Sequence, residues 1–272
     1  MRITKLNGAL GAVLEDIEVE TVDDAGFKEL VDALVAHQVV FLPGQNLSED
    51  GHRALAHRFG TPSVFPMVAH FGGTEILAYL EDTAEDPPKT DAWHTDISWV
   101  EHPPKVAILC ALDIPAYGGD TMWADLYGAW DSLSPTMQGL LDGLQAHHVA
   151  GDGFFNAVAQ AFSAEQIAEL RVVFSGTAHP LVRTHPITGR KALYVAGYFT
   201  DHIVGMNADE SAHLVGWLTS RVEDPNLQVR WRWSPGDMAI WDERCTNHRG
   251  LSDHYPQHRL MRRCTVDGER PF

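Results

Sequence analysis

Apolar residues along the chain fall into two patterns. The first is short and dense. Val39–Leu42, Val106–Leu112 and Met238–Trp241 are unbroken apolar runs bounded by Gly, Pro or Asp. Runs of that length, rich in β-branched and aromatic residues, predict strands. Further strands are predicted over Ala12–Glu15, Ile76–Tyr79, Thr121–Trp123, Gln145–Val149, Ala178–Arg183, Ala192–Val195, Val229–Trp233 and Leu260–Val266. The second pattern is longer and follows the helical period, predicting helices over Ala25–Ala36, Glu49–Phe59, Pro135–Leu144, Ala164–Leu170 and Ala208–Arg221. Asn207 with Glu210, and Ser163 with Gln166, have the spacing of a capping box. Strands and helices do not alternate regularly, which disfavours a doubly wound parallel sheet. The expectation is a mostly β chain with peripheral helices, built as a β-sandwich or jelly roll and forming one domain over residues 1–272. Glu81–Pro88 is acidic and ends in two prolines. It predicts a mobile loop or lid around residues 81–90.

Composition narrows the functional classes. The chain has 272 residues, 44% of them apolar, enough for a packed core. Its 20 basic and 37 acidic residues give a net charge of −17. Such a field repels phosphate backbones and anionic membranes, so neither nucleic acid nor membrane is expected as a partner. An anionic substrate would need cations placed in its own site. No stretch reaches the ~18–20 apolar residues of a membrane span. The first residues lack an apolar signal core, and three scattered cysteines with no Cys-x-x-Cys pair predict reduced thiols. A cytoplasmic location is expected, and a homo-oligomer is compatible with the sequence. The 15 histidines invite a search for metal-ligand spacing.

That search finds His94-Thr95-Asp96. On a strand, residues two apart project to the same face, so the imidazole and carboxylate can meet on one ion. His248, in Cys245-Thr246-Asn247-His248-Arg249-Gly250, can add a third ligand from a distant segment. Two His and one carboxylate form the facial triad of non-haem Fe(II) oxygenases, whose remaining positions can take a 2-oxo acid and O2. If that acid is 2-oxoglutarate, its far carboxylate needs a cation. Arg259 lies eleven residues after His248, and a strand there would put Arg259, Met261 and Arg263 on one face. A guanidinium grips a carboxylate through two parallel hydrogen bonds. Thr121, in Gly118-Gly119-Asp120-Thr121-Met122-Trp123, can add a hydroxyl. Two alternatives stay open: a zinc-dependent hydrolase on the same His/Asp/His site, and a binding module without chemistry. The remaining histidines show no convincing partner by spacing. His147 and His148 in particular would point to opposite faces of a strand, which makes them a poor chelate.

The sequence resembles the taurine dioxygenase family of Fe(II)/2-oxoglutarate-dependent dioxygenases, with the 2,4-dichlorophenoxyacetate-type dioxygenases and alkylsulfatases among its relatives. The resemblance runs from about Gly11 to Phe272. It is carried by Val39–Gln45, Trp93–Asp96, Gly118–Trp123, Pro235–Asp242 and His248–Arg263. It implies a double-stranded β-helix core, Fe(II) on His94, Asp96 and His248, and 2-oxoglutarate as co-substrate on Arg259 and Thr121. It further implies substrate contacts from Arg263 and from His70. The expected reaction is hydroxylation, with cleavage where the hydroxylated carbon bears a heteroatom. The expected substrate is a small anion such as a sulfonate, sulfate ester or carboxylic acid. Phe71-Gly72-Gly73 and the surroundings of Thr90 and Ala92 do not reproduce a taurine pocket, so taurine is not inferred.

Overall fold

The computed structural model describes residues 1–89 and 91–272. Its largest sheet has seven strands, in the order Arg2–Lys5, Ala12–Glu15, Val39–Leu42, Met238–Asp242, Val106–Asp113, Arg259–Val266 and Ala78–Asp82. All neighbours pair antiparallel except Ala12–Glu15 with Val39–Leu42, which pair parallel. A second sheet, of three antiparallel strands, has Thr121–Asp125 between Gln228–Trp231 and Thr246–Gly250. A third sets Gln145–His148 between Thr200–Ile203 and Thr177–Pro180, and Val182–Thr184 pairs with Lys191–Leu193.

The unbroken apolar runs have a simple cause: their strands are buried on both faces. Val40, Leu42, Ile108, Cys110, Met238 and Ile240 face a core closed by Leu30, Leu34, Leu55 and Ala56. Those four come from the helices Asp24–His37 and Glu49–Phe59. The alternate residues Val39, Phe41, Ala107, Leu109, Ala239 and Trp241 face the three-stranded sheet and pack with Trp123, Val229 and Trp233. Phe41 stacks on Trp231 at 4.4 Å and meets Trp123 edge-on at 5.2 Å. Burying each such side chain contributes about 1.5–3 kcal/mol. Both helices are capped as their sequences suggest: Asp23 accepts from the Gly26 amide and Ser48 from the Gly51 amide.

Most predicted elements are present with shifted ends, and both capping boxes form. Three differences have clear causes. Helices account for 31% of the chain, more than a mostly β reading implies. The helices Pro66–His70, Leu126–Asp131 and Gly151–Val158 were too short to show a helical repeat. Thr246–Gly250 is a strand, but Thr-Asn-His-Arg-Gly has no apolar alternation to reveal it. Finally, Glu81 and Asp82 belong to the Ala78–Asp82 strand, where Asp82 pairs opposite Arg259. The loop expected around residues 81–90 therefore begins at Thr83, and Thr90 lies outside the described residues. No helix among the described residues is long and apolar enough to cross a membrane.

Candidate metal centre and the cavity around it

The rim of the space between the two larger sheets gathers side chains from three places. His248 sits in the Thr246–Gly250 strand. His94 forms an isolated antiparallel bridge to it: the His94 amide donates to the His248 carbonyl (3.0 Å) and the His248 amide to the His94 carbonyl (2.8 Å). Asp96 lies in the turn that follows, where Ile97 takes a positive φ of 53°. His-x-Asp was expected on a strand, but only His94 has strand-like pairing. The turn after it aims the carboxylate.

Asp96 Oδ1 is 3.6 Å from His94 Nε2 and 3.8 Å from His248 Nε2. These gaps are too wide for hydrogen bonds. They approach the spacing of ligands that share one ion, about 3–3.5 Å for bonds near 2.1 Å. His94 Nδ1 donates to the Ala92 carbonyl at 2.8 Å, which leaves the Nε2 lone pair facing inward. His248 Nδ1 is buried with no hydrogen-bond partner among the described residues. Burial, and then the neighbouring His94, hold the His248 pKa well below its usual value, so the ring is a neutral donor at neutral pH. Burial pushes the Asp96 carboxyl up, but Arg263 and the two imidazoles outweigh it and keep the group ionised. Two imidazoles and one carboxylate aimed at one point, with Asp96 and His248 buried, suit a divalent transition metal.

Behind this trio are residues that sequence reasoning missed. Glu243 is fully buried. Its Oε2 accepts from the Asp96 amide (3.1 Å) and its Oε1 from Trp241 Nε1 (2.6 Å). Burial and then the nearby Asp96 raise its pKa well above the usual carboxylate range. Thr95 donates to Asn247 Oδ1 at 2.6 Å, and Asn247 Nδ2 donates to the Val195 carbonyl at 2.8 Å. The segments carrying His94 and His248 are thus tied together by side chains as well as by the bridge. The local sequence carries no signal for them, because Glu243 and Asn247 sit among other polar residues in Asp242-Glu243-Arg244-Cys245-Thr246-Asn247.

His94, His248, Thr121, Arg259 and Arg263 line one cavity, together with Leu80, Leu109 and Trp241. Asp96 joins them through Arg263, whose Nη1 donates to Asp96 Oδ1 at 2.9 Å. Arg259 is buried, and its Nε donates to the Gly119 carbonyl at 3.0 Å. Asp82 stands 3.7 Å from Arg259 Nη1, beyond hydrogen-bond range. Gly119 is required here: its φ is +69°, and a Cβ would come within 2.9 Å of Arg259 Cδ. Thr121 Oγ1 accepts from Trp233 Nε1 at 3.0 Å, which leaves its own O–H free to donate. His70 is not brought to this cavity. It ends the Pro66–His70 helix, and its Nε2 is engaged with Glu169 at 2.7 Å.

A second cleft opens beside His94, lined by Lys89, Ala92, Gly153, Phe154, Ala157, Tyr198 and Phe199. Its walls are apolar, and Lys89 is the lining cation among the described residues. Phe199 meets the His94 ring edge-on at 5.8 Å.

Comparison with known proteins agrees with this arrangement. The family model described as "Taurine catabolism dioxygenase TauD, TfdA family" matches residues 2–265. An alkylsulfatase from Acinetobacter baylyi is 34% identical over 99% of this chain and 86% of its own length. An alpha-ketoglutarate-dependent sulfate ester dioxygenase from Pseudomonas putida is 35% identical over 97% of this chain and 88% of its own length. The crystal structure of a taurine dioxygenase from Burkholderia xenovorans superposes with a TM-score of 0.82. It is 29% identical, covering 99% of this chain and 92% of that one.

Proposed function

The chain belongs to the TauD/TfdA dioxygenase family and is a 2-oxoglutarate-dependent dioxygenase; on that premise we propose that His94, Asp96 and His248 hold one Fe(II), and that Arg259 and Thr121 hold the far carboxylate of 2-oxoglutarate. In the same reading Arg263 meets the anionic group of the substrate, and the seven- and three-stranded sheets are the two halves of a double-stranded β-helix. His70 has no part in it, because its ring is engaged with Glu169. The observation that carries the proposal is the meeting of both histidines, Thr121, Arg259 and Arg263 at one cavity, with Asp96 against it.

Iron, when bound, would supply the activation of O2 that couples conversion of 2-oxoglutarate to succinate and CO2 with hydroxylation of a substrate C–H bond. The protein's own residues supply position and charge. The Nδ1–Ala92 contact fixes the His94 ring. Arg259 is buried and fixed at Nε, and its outer nitrogens present a ready fork to a carboxylate. Arg263 offsets the Asp96 charge, and a cation taking that carboxylate would release the guanidinium to a substrate anion. Phe154, Tyr198 and Phe199 give the cleft an apolar wall that shields the reacting C–H from water. The substrate class that fits is an anion with an apolar body: a sulfate ester, a sulfonate or a carboxylic acid. Where the hydroxylated carbon bears oxygen or sulfur, the product collapses with loss of that group. Three free, buried cysteines support a reducing, cytoplasmic setting.

The test is succinate formation with Fe(II) and 2-oxoglutarate across alkyl sulfates, sulfonates, aryloxyalkanoates and amino acids. At least one of the first three classes should stimulate turnover in the wild type and fail to do so in Arg263→Gln. Stimulation undiminished by Arg263→Gln would overturn the assignment of Arg263.

A further inference from the structure

The three-stranded sheet away from the iron site carries a second group of metal-ligand residues: His147, Asp201 and His202. His147 lies in the Gln145–His148 strand and pairs directly opposite His202 of the Thr200–Ile203 strand. Sequence spacing could not reveal this, because the partner of His147 lies across the sheet, while its neighbour His148 points the other way into the core. Adjacent residues of a regular strand face opposite sides. Here the register shifts between Thr200 and His202. A bulge of that kind sets two residues against one and re-aims a side chain, so Asp201 and His202 both reach His147.

The ligand atoms of all three residues lie within 4.8 Å of one another. His202 Nδ1 donates to Asp201 Oδ2 at 2.7 Å, a bond whose proton an arriving metal would displace, and the same oxygen is 3.7 Å from His147 Nδ1. The longer gap is too wide for a hydrogen bond but close to the separation of two ligands on one ion. His147 Nδ1 is buried and has no hydrogen-bond partner among the described residues. The ring lies close over Gly176, where a Cβ would come within 2.9 Å of its Cε1. Asp201 and His202 are half exposed, so an ion can arrive from solvent.

We propose that His147, Asp201 and His202 form a second metal site, selective for Zn(II) and similar borderline divalent cations. Two imidazoles and one carboxylate are the donors such ions favour, and water completes the coordination. The bound ion clamps the Thr200–Ile203 strand to its neighbour. That strand directly follows Phe199, whose ring lies against His94, so occupancy steadies the wall of the substrate cleft.

The experiment is a Zn(II) titration of chelator-treated full-length protein, counted by calorimetry and elemental analysis. Wild type should take up two equivalents, one at each site. His202→Ala, at an exposed position, should take up one, and His57→Ala, exposed on the helix Glu49–Phe59 that packs on the seven-stranded sheet, should still take up two. Asp96→Ala should keep the equivalent that His202→Ala loses, which separates this site from the proposed iron site. Zinc should also slow amide exchange over residues 200–203 in wild type and not in His202→Ala. Uptake unchanged by His202→Ala, or an Asp96→Ala protein that takes up no zinc, would overturn the proposal.

Discussion

Asp96 and Asp242 are both buried carboxylates set beside a histidine and an arginine, yet they do opposite things. Asp242 is closed. Its Oδ1 accepts from the Arg244 amide (2.9 Å) and Nε (2.8 Å), and its Oδ2 from Arg244 Nη2 (2.6 Å) and His185 Nε2 (3.0 Å). His185 Nδ1 in turn accepts from the amides of Ile187 and Thr188. With Cys245 nearby, the residue types and spacing would suit a metal, but the polar atoms are already engaged. Asp96 is open. Its imidazole neighbours face it through Nε2 but stand too far off to bond it, and Arg263 is the one side chain among the described residues that hydrogen-bonds the carboxylate. Burial and residue type are common to both clusters. Unspent lone pairs aimed at one point distinguish a ligand set from a structural clasp.

The comparison breaks most sharply on activity. Asp96→Ala should lower succinate formation by more than about 100-fold, since even residues that only orient a ligand cost 10–100-fold when lost. Its thermal unfolding should stay close to wild type, because Arg263 retains partial access to solvent. Asp242→Asn should show the reverse. Breaking a buried pair on one side costs about 3–5 kcal/mol, readable as a lower denaturant midpoint, while the folded fraction keeps its metal affinity.

Acid should weaken the closed cluster as well. Burial raises the Asp242 carboxyl, but Arg244 and His185 outweigh it and hold it well below the usual carboxylate range. A depressed folded pKa means stability that is present above the ordinary value of about 4 and lost as pH falls towards the folded value. Unfolding midpoints measured from pH 6 down to pH 3 should fall in wild type and fall less steeply in Asp242→Asn. Arg259→Gln should raise KM for 2-oxoglutarate by about 10–100-fold, the cost of a charged hydrogen-bonded pair of 1.5–3 kcal/mol. Thr121→Val should raise it by about fivefold, near 1 kcal/mol for one neutral bond. Thr121→Ser should restore it, because serine also supplies the acceptor that Trp233 Nε1 needs.

How legible each part was in the sequence follows from its physical basis. Strands buried on both faces, such as Val39–Leu42 and Met238–Trp241, announced themselves as apolar runs. Arg259 and Arg263 could be placed together because they lie at alternating positions of one strand, and both line the cavity with His248. Thr246–Gly250 was not legible, since its side chains serve the site rather than a core. The turn that aims Asp96 left no periodic trace. Glu243 was invisible as a support because its role depends on the Asp96 amide, 147 positions away. His147 and His202 likewise meet only through strand pairing. What local pattern encodes could be read, and what a distant segment completes could not.

The most direct test of the contrast between open and closed clusters is an anaerobic titration of the protein with Fe(II) and 2-oxoglutarate, followed by the visible charge-transfer absorption of the chelate. One equivalent of each should develop the band in wild type, and none should develop in Asp96→Ala. A band of full intensity in Asp96→Ala would contradict the account.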